Sequence, residues 1–180
     1  DESVHFVVSK DSYDTMIGCF AALAAGKPFI YIDPEMPDDY RNELTAKFAD
    51  ADLSNTMFYL YTSGTTGRNK VFPISNAGFV NECYGENAGY NTGPDSVVAV
   101  TAGPTFDMYY LTAFPVLLAG GTVVLFSEER RHNISEFEKE FKKYGVERTF
   151  MTTKLAEQYM SLVDDSHLKV LSTGGEALNK

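Results

Sequence analysis

A chain of 180 residues is long enough to form one domain with a buried core, without help from metals or disulfides. Its 25 acidic and 15 basic side chains give a net charge of −10, which argues against a protein that binds the phosphate backbone of nucleic acid. Hydrophobic residues make up 44% of the chain, and no apolar run is long enough to span a membrane, so we expect an ordinary soluble globular protein.

Short apolar runs alternate with longer amphipathic segments along the chain. The pattern predicts strands at 4–9, 29–32, 57–61, 70–74, 96–102, 122–126, 146–151 and 168–172. It predicts helices at 12–25, 37–51, 75–89, 109–119, 134–144 and 154–162, of which the third is capped by Ser75. This alternation predicts one α/β domain over residues 1–180, with a mainly parallel sheet and helices on both faces. Because such sheets bind ligands at the carboxyl ends of their strands, the loops after strands are the candidate sites.

Cysteine and histidine are too few and too scattered to predict a metal site. Cys19 and Cys83 lie in helix-like stretches without metal-binding spacing, and the three histidines are far apart in the sequence. Two buried thiols are typical of a cytosolic chain, so we expect a cytoplasmic location and no metal ligand.

The third predicted strand runs into a loop of hydroxyl and glycine residues. After Tyr61 the chain reads Thr62, Ser63, Gly64, Thr65, Thr66, Gly67, Arg68, Asn69 and Lys70. Glycines let the backbone turn so that its N–H groups form an anion-binding concavity, and the hydroxyls add donors that rotate to fit phosphate oxygens. The loop therefore predicts a phosphate-binding site, with a flexible polar loop as the alternative.

The loop is not a Walker P-loop, because GxxxxGK[ST] counted from Gly64 would need Gly at position 69 and Ser or Thr at position 71. Residues 61–70 instead resemble the YTSGTTGxPK motif of the adenylate-forming superfamily, with Asn69 in place of Pro and Val71 in place of the usual following Gly. That family includes acyl-CoA synthetases, firefly luciferase and the adenylation domains of nonribosomal peptide synthetases. Three further stretches resemble family segments in the same order, at 21–34, 106–121 and 171–178.

The resemblance implies part of the large, flavodoxin-like N-terminal subdomain of an adenylation domain. Such an enzyme uses ATP and Mg²⁺ to activate a carboxylic acid as acyl-AMP, and then transfers the acyl group to the phosphopantetheine thiol of a carrier protein. By this resemblance, the nucleotide site would comprise Thr62, Ser63, Gly64, Thr65, Thr66, Gly67, Lys70, Gly174, Gly175 and Glu176.

The resemblance also implies which acid is activated. Asp107 falls on the family position that binds the α-ammonium of an amino acid, and the side-chain pocket would be lined by Met108, Leu111, Phe150, Ser172 and Gly174. This mostly apolar set predicts a small or medium apolar amino acid. Three alternatives stay open: Asp107 caps the following helix, Leu111 and Phe150 belong to the core, or the substrate is a fatty acid, since residues 105–108 also resemble the YHDM motif of fatty-acyl-AMP ligases. An acyl-CoA ligase is a further alternative.

Several family parts do not appear in these 180 residues. They are the aromatic residue that stacks on adenine, the later aspartate that holds the ribose, and the small C-terminal subdomain with its catalytic lysine. We therefore expect a piece of a longer enzyme, with no catalytic residue of its own and no useful acyl-adenylate synthesis by the chain alone. A non-catalytic flavodoxin-like binding module is the alternative class, and it predicts no effect of substitutions at Thr65 or Lys70.

Overall fold

The computed structural model describes residues 3–48, 53–63, 69–163 and 168–177. The chain forms two compact units, Asp1–Asn81 and Glu82–Lys180, and each contains a four-stranded sheet. The α/β class with mainly parallel strands is confirmed, but the strands are divided between two sheets, whereas the alternation predicted one. The physical reason is that a strand's periodicity fixes which face is apolar, while the choice of neighbouring strand depends on long-range packing.

The first unit consists of parallel strands followed by one antiparallel edge strand. Its elements are β1 (His5–Val7), α1 (Ser12–Ala24), β2 (Phe29–Tyr31), α2 (Asp38–Ala46), β3 (Thr56–Ser63) and β4 (Asn69–Ser75). The strand order is β1-β2-β3-β4, and only the β3–β4 pair is antiparallel. Phe29 and Phe58 are opposite each other in register, and their rings stack with centroids 5.3 Å apart in the core.

Helix α3 (Asn76–Tyr90) begins in the first unit and ends in the second. Ser75, which the sequence predicts as its cap, accepts a hydrogen bond from the N–H of Gly78 at 3.2 Å. The prediction for this helix is therefore confirmed, with an end one residue later than expected.

The second unit has an entirely parallel sheet. Its elements are β5 (Val97–Val100), α4 (Asp107–Leu118), β6 (Thr122–Leu125), a short 3₁₀ helix (Arg130–His132), α5 (Ile134–Tyr144), β7 (Arg148–Thr152), α6 (Thr153–Leu162) and β8 (Val170–Gly174). The strand order is β6-β5-β7-β8. Four buried aromatic rings pack together in its core, from the residue after β6, from α5 and from α6: Phe126, Phe137, Phe141 and Tyr159.

Three element boundaries differ from the predicted ones in ways that affect the site. Helix α4 begins at Asp107, two residues before its predicted start, and β7 and β8 extend to Thr152 and Gly174. Helix α2 ends at Ala46 and residues 47–48 form a turn, so the prediction that this helix continues to residue 51 is wrong. Residues 49–51 themselves lie outside the described residues. Among the described residues, no helix is long and apolar enough to cross a membrane.

Candidate functional site

The carboxyl ends of β5, β7 and β8 lie side by side in the second unit. Val100, Phe150 and Ser172 are opposite one another in register across these three strands. The segments that follow the strands therefore emerge at one edge of the sheet, which is the edge where parallel sheets bind ligands. These segments carry several of the residues that the sequence singled out.

One face of β7 and β8 brings together three of the residues predicted for the side-chain pocket. Phe150 and Ser172 are direct neighbours in register, and Gly174 is the next residue of β8 on the same face. A Cβ atom on Gly174 would lie 3.6 Å from Cε2 of the Phe150 ring, so glycine leaves room beside the ring. All three residues are half-buried, so Phe150 is not a fully enclosed core residue.

Asp107 is the first residue of α4, which packs against β5 and β7. Its exposed carboxylate accepts a hydrogen bond from the N–H of Met108 through Oδ1, at 2.8 Å. The N-cap position itself is occupied by Phe106, so Asp107 stabilises the first turn of the helix without being its cap. Met108 and Leu111 are both half-buried, and their spacing places them on adjoining positions of the helix surface.

The loop between β5 and Asp107 is fixed by two side chains. The hydroxyl of the buried Tyr110 donates to the carbonyl oxygen of Pro104 at 2.7 Å. Nη1 of Arg131 donates to the carbonyl oxygen of Ala102 at 3.3 Å. These bonds give the start of α4 a defined position after the sheet edge.

A cleft of about 280 Å³ lies at the ends of β7 and β8 and is lined by Thr152, Thr153, Lys154, Gly174, Gly175 and Glu176. The three residues after Met151 were not singled out by the sequence analysis. They directly follow the predicted strand at 146–151, so their place at a strand end was the signal that marked them as candidates. The other three belong to the predicted nucleotide site, and the structure brings them together here.

The backbone of the cleft is shaped by Gly175 and Thr153. Gly175 has φ +101°, a conformation that side chains disfavour. Thr153 donates its hydroxyl to the carbonyl oxygens of Gly174 and Glu176, at 3.3 and 3.1 Å. The carboxylate of Glu176 is 4.0 Å from Nζ of Lys154, and both side chains are exposed.

The predicted phosphate loop is described only at its two ends. Gly64, Thr65, Thr66, Gly67 and Arg68 lie outside the described residues. The backbones of Thr62 and Ser63 belong to β3, where they pair with Lys70 and Asn69 of the antiparallel β4. The loop therefore joins the two strands of a hairpin in the first unit, and Lys70 is exposed.

The described ranges contain no group of three or more His, Cys, Asp or Glu side chains that could hold a metal ion. Cys19 and Cys83 are both buried and free, as predicted. Burial raises the pKa of Cys19 to about 12 and that of Cys83 to about 11. Both thiols are therefore protonated near neutral pH and serve as small apolar core groups.

Comparison with known proteins gives a consistent result. A family model described as AMP-binding enzyme matches residues 39–180. The chain is 33% identical to surfactin synthase subunit 1 of Bacillus subtilis over 143 residues, which cover 79% of this chain. It is 24% identical to bacitracin synthase 1 of Bacillus licheniformis over an alignment of 212 positions, which covers 96% of this chain. The chain spans about 4% of the length of each of these two relatives.

Solved structures share the fold. The structure of holo-PA1221, described as an NRPS protein containing adenylation and PCP domains, superposes with a TM-score of 0.82 and 20% identity. The matched region covers 99% of this chain and 37% of that one.

Proposed function

This chain belongs to the AMP-binding enzyme family, and on that premise we propose that the enzyme carrying it uses ATP to activate an amino acid as its aminoacyl-adenylate. The family match supports the use of ATP, and the peptide-synthase relatives support an amino acid as the acid. The observation that carries the proposal is the position of Asp107, an exposed carboxylate that follows β5 at the ligand-binding edge of the sheet.

Asp107 would recognise the α-ammonium group. A carboxylate and an ammonium form a charge-assisted hydrogen bond, which is about twice as strong as a neutral one. The bond to the N–H of Met108 uses Oδ1, so Oδ2 remains to receive the substrate. The neighbouring half-buried ring of Phe150 and the absence of a side chain at Gly174 support a small or medium apolar amino acid.

In the proposed reaction, a carboxylate oxygen of the acid attacks the α-phosphorus of ATP. A bond forms between this oxygen and the phosphorus, while the bond from the phosphorus to the oxygen bridging to the β-phosphate breaks and pyrophosphate leaves. This chain would contribute mainly positioning and charge neutralisation. Residues Thr62–Gly67 and Lys70 would hold the outer phosphates, and Gly174, Gly175 and Glu176 would lie along the nucleotide.

The composition of the cleft fits a nucleotide better than a dedicated metal cage. Its lining offers threonine hydroxyls, glycine backbone and one ammonium group, but a single carboxylate, that of Glu176. Mg²⁺ usually keeps several water ligands and binds through substrate phosphates, so it would arrive with ATP and neutralise phosphate charge there.

We further propose that the acyl group passes to the phosphopantetheine thiol of a carrier protein. The thiol sulfur would attack the acyl carbon, and AMP would leave as the mixed anhydride bond breaks. The peptide-synthase relatives support this acceptor, as does the presence of both adenylation and PCP domains in the structural neighbour. A small C-terminal subdomain would complete the catalytic site.

ATP–pyrophosphate exchange tests the proposal. The enzyme carrying this chain is assayed with each proteinogenic amino acid and with fatty acids of several lengths, and a reaction without acid is the control. We expect exchange with one or a few apolar amino acids. Exchange with fatty acids alone would show a fatty-acyl-AMP ligase instead. No exchange with any acid, together with no effect of Lys70→Ala on ATP binding, would show a non-catalytic module.

A further inference from the structure

Tyr90, the last residue of α3, reaches the pocket face of β8. Its hydroxyl oxygen lies 3.1 Å from Oγ of Ser172, and either group can be the donor. Tyr90 is 41% exposed, so its ring is not required to fill a core. The contact joins a residue that no sequence motif marked to one that the family resemblance places in the amino-acid pocket.

The Tyr90 ring is held by a buried cation. The guanidinium carbon of Arg148 lies 4.0 Å from the centroid of the ring, which is close enough for a cation–π interaction. Only 9% of the Arg148 side chain is exposed, and its Nη1 lies 3.7 Å from a carboxylate oxygen of Glu86. Burial lowers the pKa of Arg148, while Glu86 acts in the opposite direction. An arginine stays protonated in such surroundings, so the ring is fixed against a permanent charge.

The backbone at the end of α3 is fixed as well. Asn91 adopts φ 52°, and the N–H of Thr92 donates to the carbonyl oxygen of Asn87 at 2.9 Å. These are the features of a Schellman motif, which ends the helix at a defined residue. The side-chain amide of Asn87 also donates to the carbonyl oxygen of Pro115 at 2.8 Å, in the helix that begins with Asp107. The end of α3 is thus bonded to α4 and to β8, two of the three elements that carry the predicted pocket residues.

We propose that Tyr90 is a positioning residue that sets the specificity of the amino-acid pocket through Ser172. This inference rests on the proposed function. A serine hydroxyl has one proton and two acceptor positions, and the bond to Tyr90 uses one of these and fixes the direction of the others. A substrate therefore meets a hydroxyl that is already oriented. Without the Tyr90 hydroxyl, Ser172 is free to rotate toward polar substrate side chains, and the preference for apolar ones decreases.

Tyr90→Phe tests this proposal, because it keeps the ring over Arg148 and removes only the hydroxyl. In ATP–pyrophosphate exchange we expect the KM for the preferred amino acid to rise about three- to tenfold, as for the loss of one hydrogen bond. The kcat and the KM for ATP should change by less than about twofold. Relative activity should shift toward analogues of the preferred amino acid that carry a hydroxyl group. Tyr84→Phe is the matched control, since Tyr84 lies on the same helix and is 74% exposed.

The single variant Ser172→Ala and the double variant Tyr90→Phe/Ser172→Ala test whether Tyr90 affects the pocket through Ser172 or independently of it. If Tyr90 acts through Ser172, adding Tyr90→Phe to Ser172→Ala causes little further loss. Additive losses would overturn the inference, as would a Tyr90→Phe enzyme with the wild-type KM and amino-acid spectrum. Equal increases in the KM for ATP and for the amino acid, with a lower thermal midpoint, would show a merely structural role and also overturn it.

The inference and the proposed function fail in different ways. If the wild-type enzyme catalyses ATP–pyrophosphate exchange with amino acids but Tyr90→Phe changes neither the KM nor the amino-acid spectrum, only the inference fails. If the wild-type enzyme exchanges with no amino acid, the proposed function fails, and the inference fails with it.

Discussion

The hydroxyl oxygen of Thr153 lies 3.1 Å from the backbone carbonyl oxygen of Glu176. The same hydroxyl lies 3.3 Å from the carbonyl oxygen of Gly174, so one proton is shared between two acceptors. Thr153 is the first residue of α6 and is only 2% exposed. It therefore bonds the start of that helix to the backbone that lines the cleft.

Replacing Thr153 by valine should destabilise the protein, because it removes the hydroxyl and keeps the branched shape. We expect the free energy of unfolding to fall by about 1 kcal/mol, since the carbonyl oxygen of the exposed Glu176 can bind water instead. The urea midpoint at constant m-value measures the loss. Thr152→Val is the control, because Thr152 is exposed and makes no side-chain capping bond. Equal midpoints for the two variants would contradict the role of the Thr153 hydroxyl.

An ion pair at the start of β7 and β8 should give a pH-dependent contribution to stability. Nζ of Lys169 is 2.9 Å from a carboxylate oxygen of Glu147. The hydrogen bond from Lys169 lowers the pKa of Glu147 below its ordinary value of 4.5. Because the pKa is lower in the folded state, the contribution is fully present above 4.5 and is lost as the pH falls through the folded value.

Lys169→Met should therefore be less stable than the wild type near neutral pH, and the difference should shrink as the pH falls below 4.5. Since Lys169 is 76% exposed, we expect the difference to be less than about 1 kcal/mol. Urea unfolding over a pH series measures it. Lys139→Met is the control, because Lys139 is exposed and forms no ion pair within the described ranges. A difference that is the same at every pH would contradict the assignment.

The helices that the sequence predicts best are those with a strong local signal at their ends. Helix α5 spans Ile134–Tyr144 as predicted, and it ends because Gly145 adopts φ 68°. Helix α1 begins at Ser12 as predicted, because the carboxylate of Asp11 accepts the N–H groups of Tyr13 and Asp14. The division into two sheets has no such local signal, since it depends on pairing between distant strands.

The site shows the same distinction between local and long-range information. Gly174, Gly175 and Glu176 are consecutive, so a motif could mark all three, and they line one cleft. Tyr90 bonds to a residue 82 positions away, and Thr153 bonds to one 23 positions away. Neither contact follows from periodicity or from a short motif, so both became visible only in the folded structure.

Asp107→Asn should impair recognition of the α-ammonium group with little effect on the fold. The amide oxygen of asparagine can still accept the N–H of Met108, while the negative charge is lost. We expect kcat/KM for the preferred amino acid in pyrophosphate exchange to fall at least about tenfold, the loss of a charge-assisted hydrogen bond. The carboxylic acid without the α-amino group should be used no worse than by the wild type. Asp95→Asn is the control, because Asp95 is an exposed carboxylate before β5. If Asp107→Asn lowered kcat/KM equally for the amino acid and for the carboxylic acid without the α-amino group, the ammonium role would be contradicted.

The two glycines at the end of β8 should respond differently to alanine. Gly175 has φ +101°, so Gly175→Ala strains the backbone and should cost about 1–3 kcal/mol in unfolding, although its Cβ would meet no other atom. A methyl group on Gly174 would lie 3.6 Å from the Phe150 ring, an ordinary contact, so Gly174→Ala should keep the wild-type urea midpoint. That methyl group narrows the pocket, and exchange should shift toward smaller amino acids. A stable Gly174→Ala enzyme with an unchanged amino-acid spectrum would show that this face of β8 does not contact the substrate.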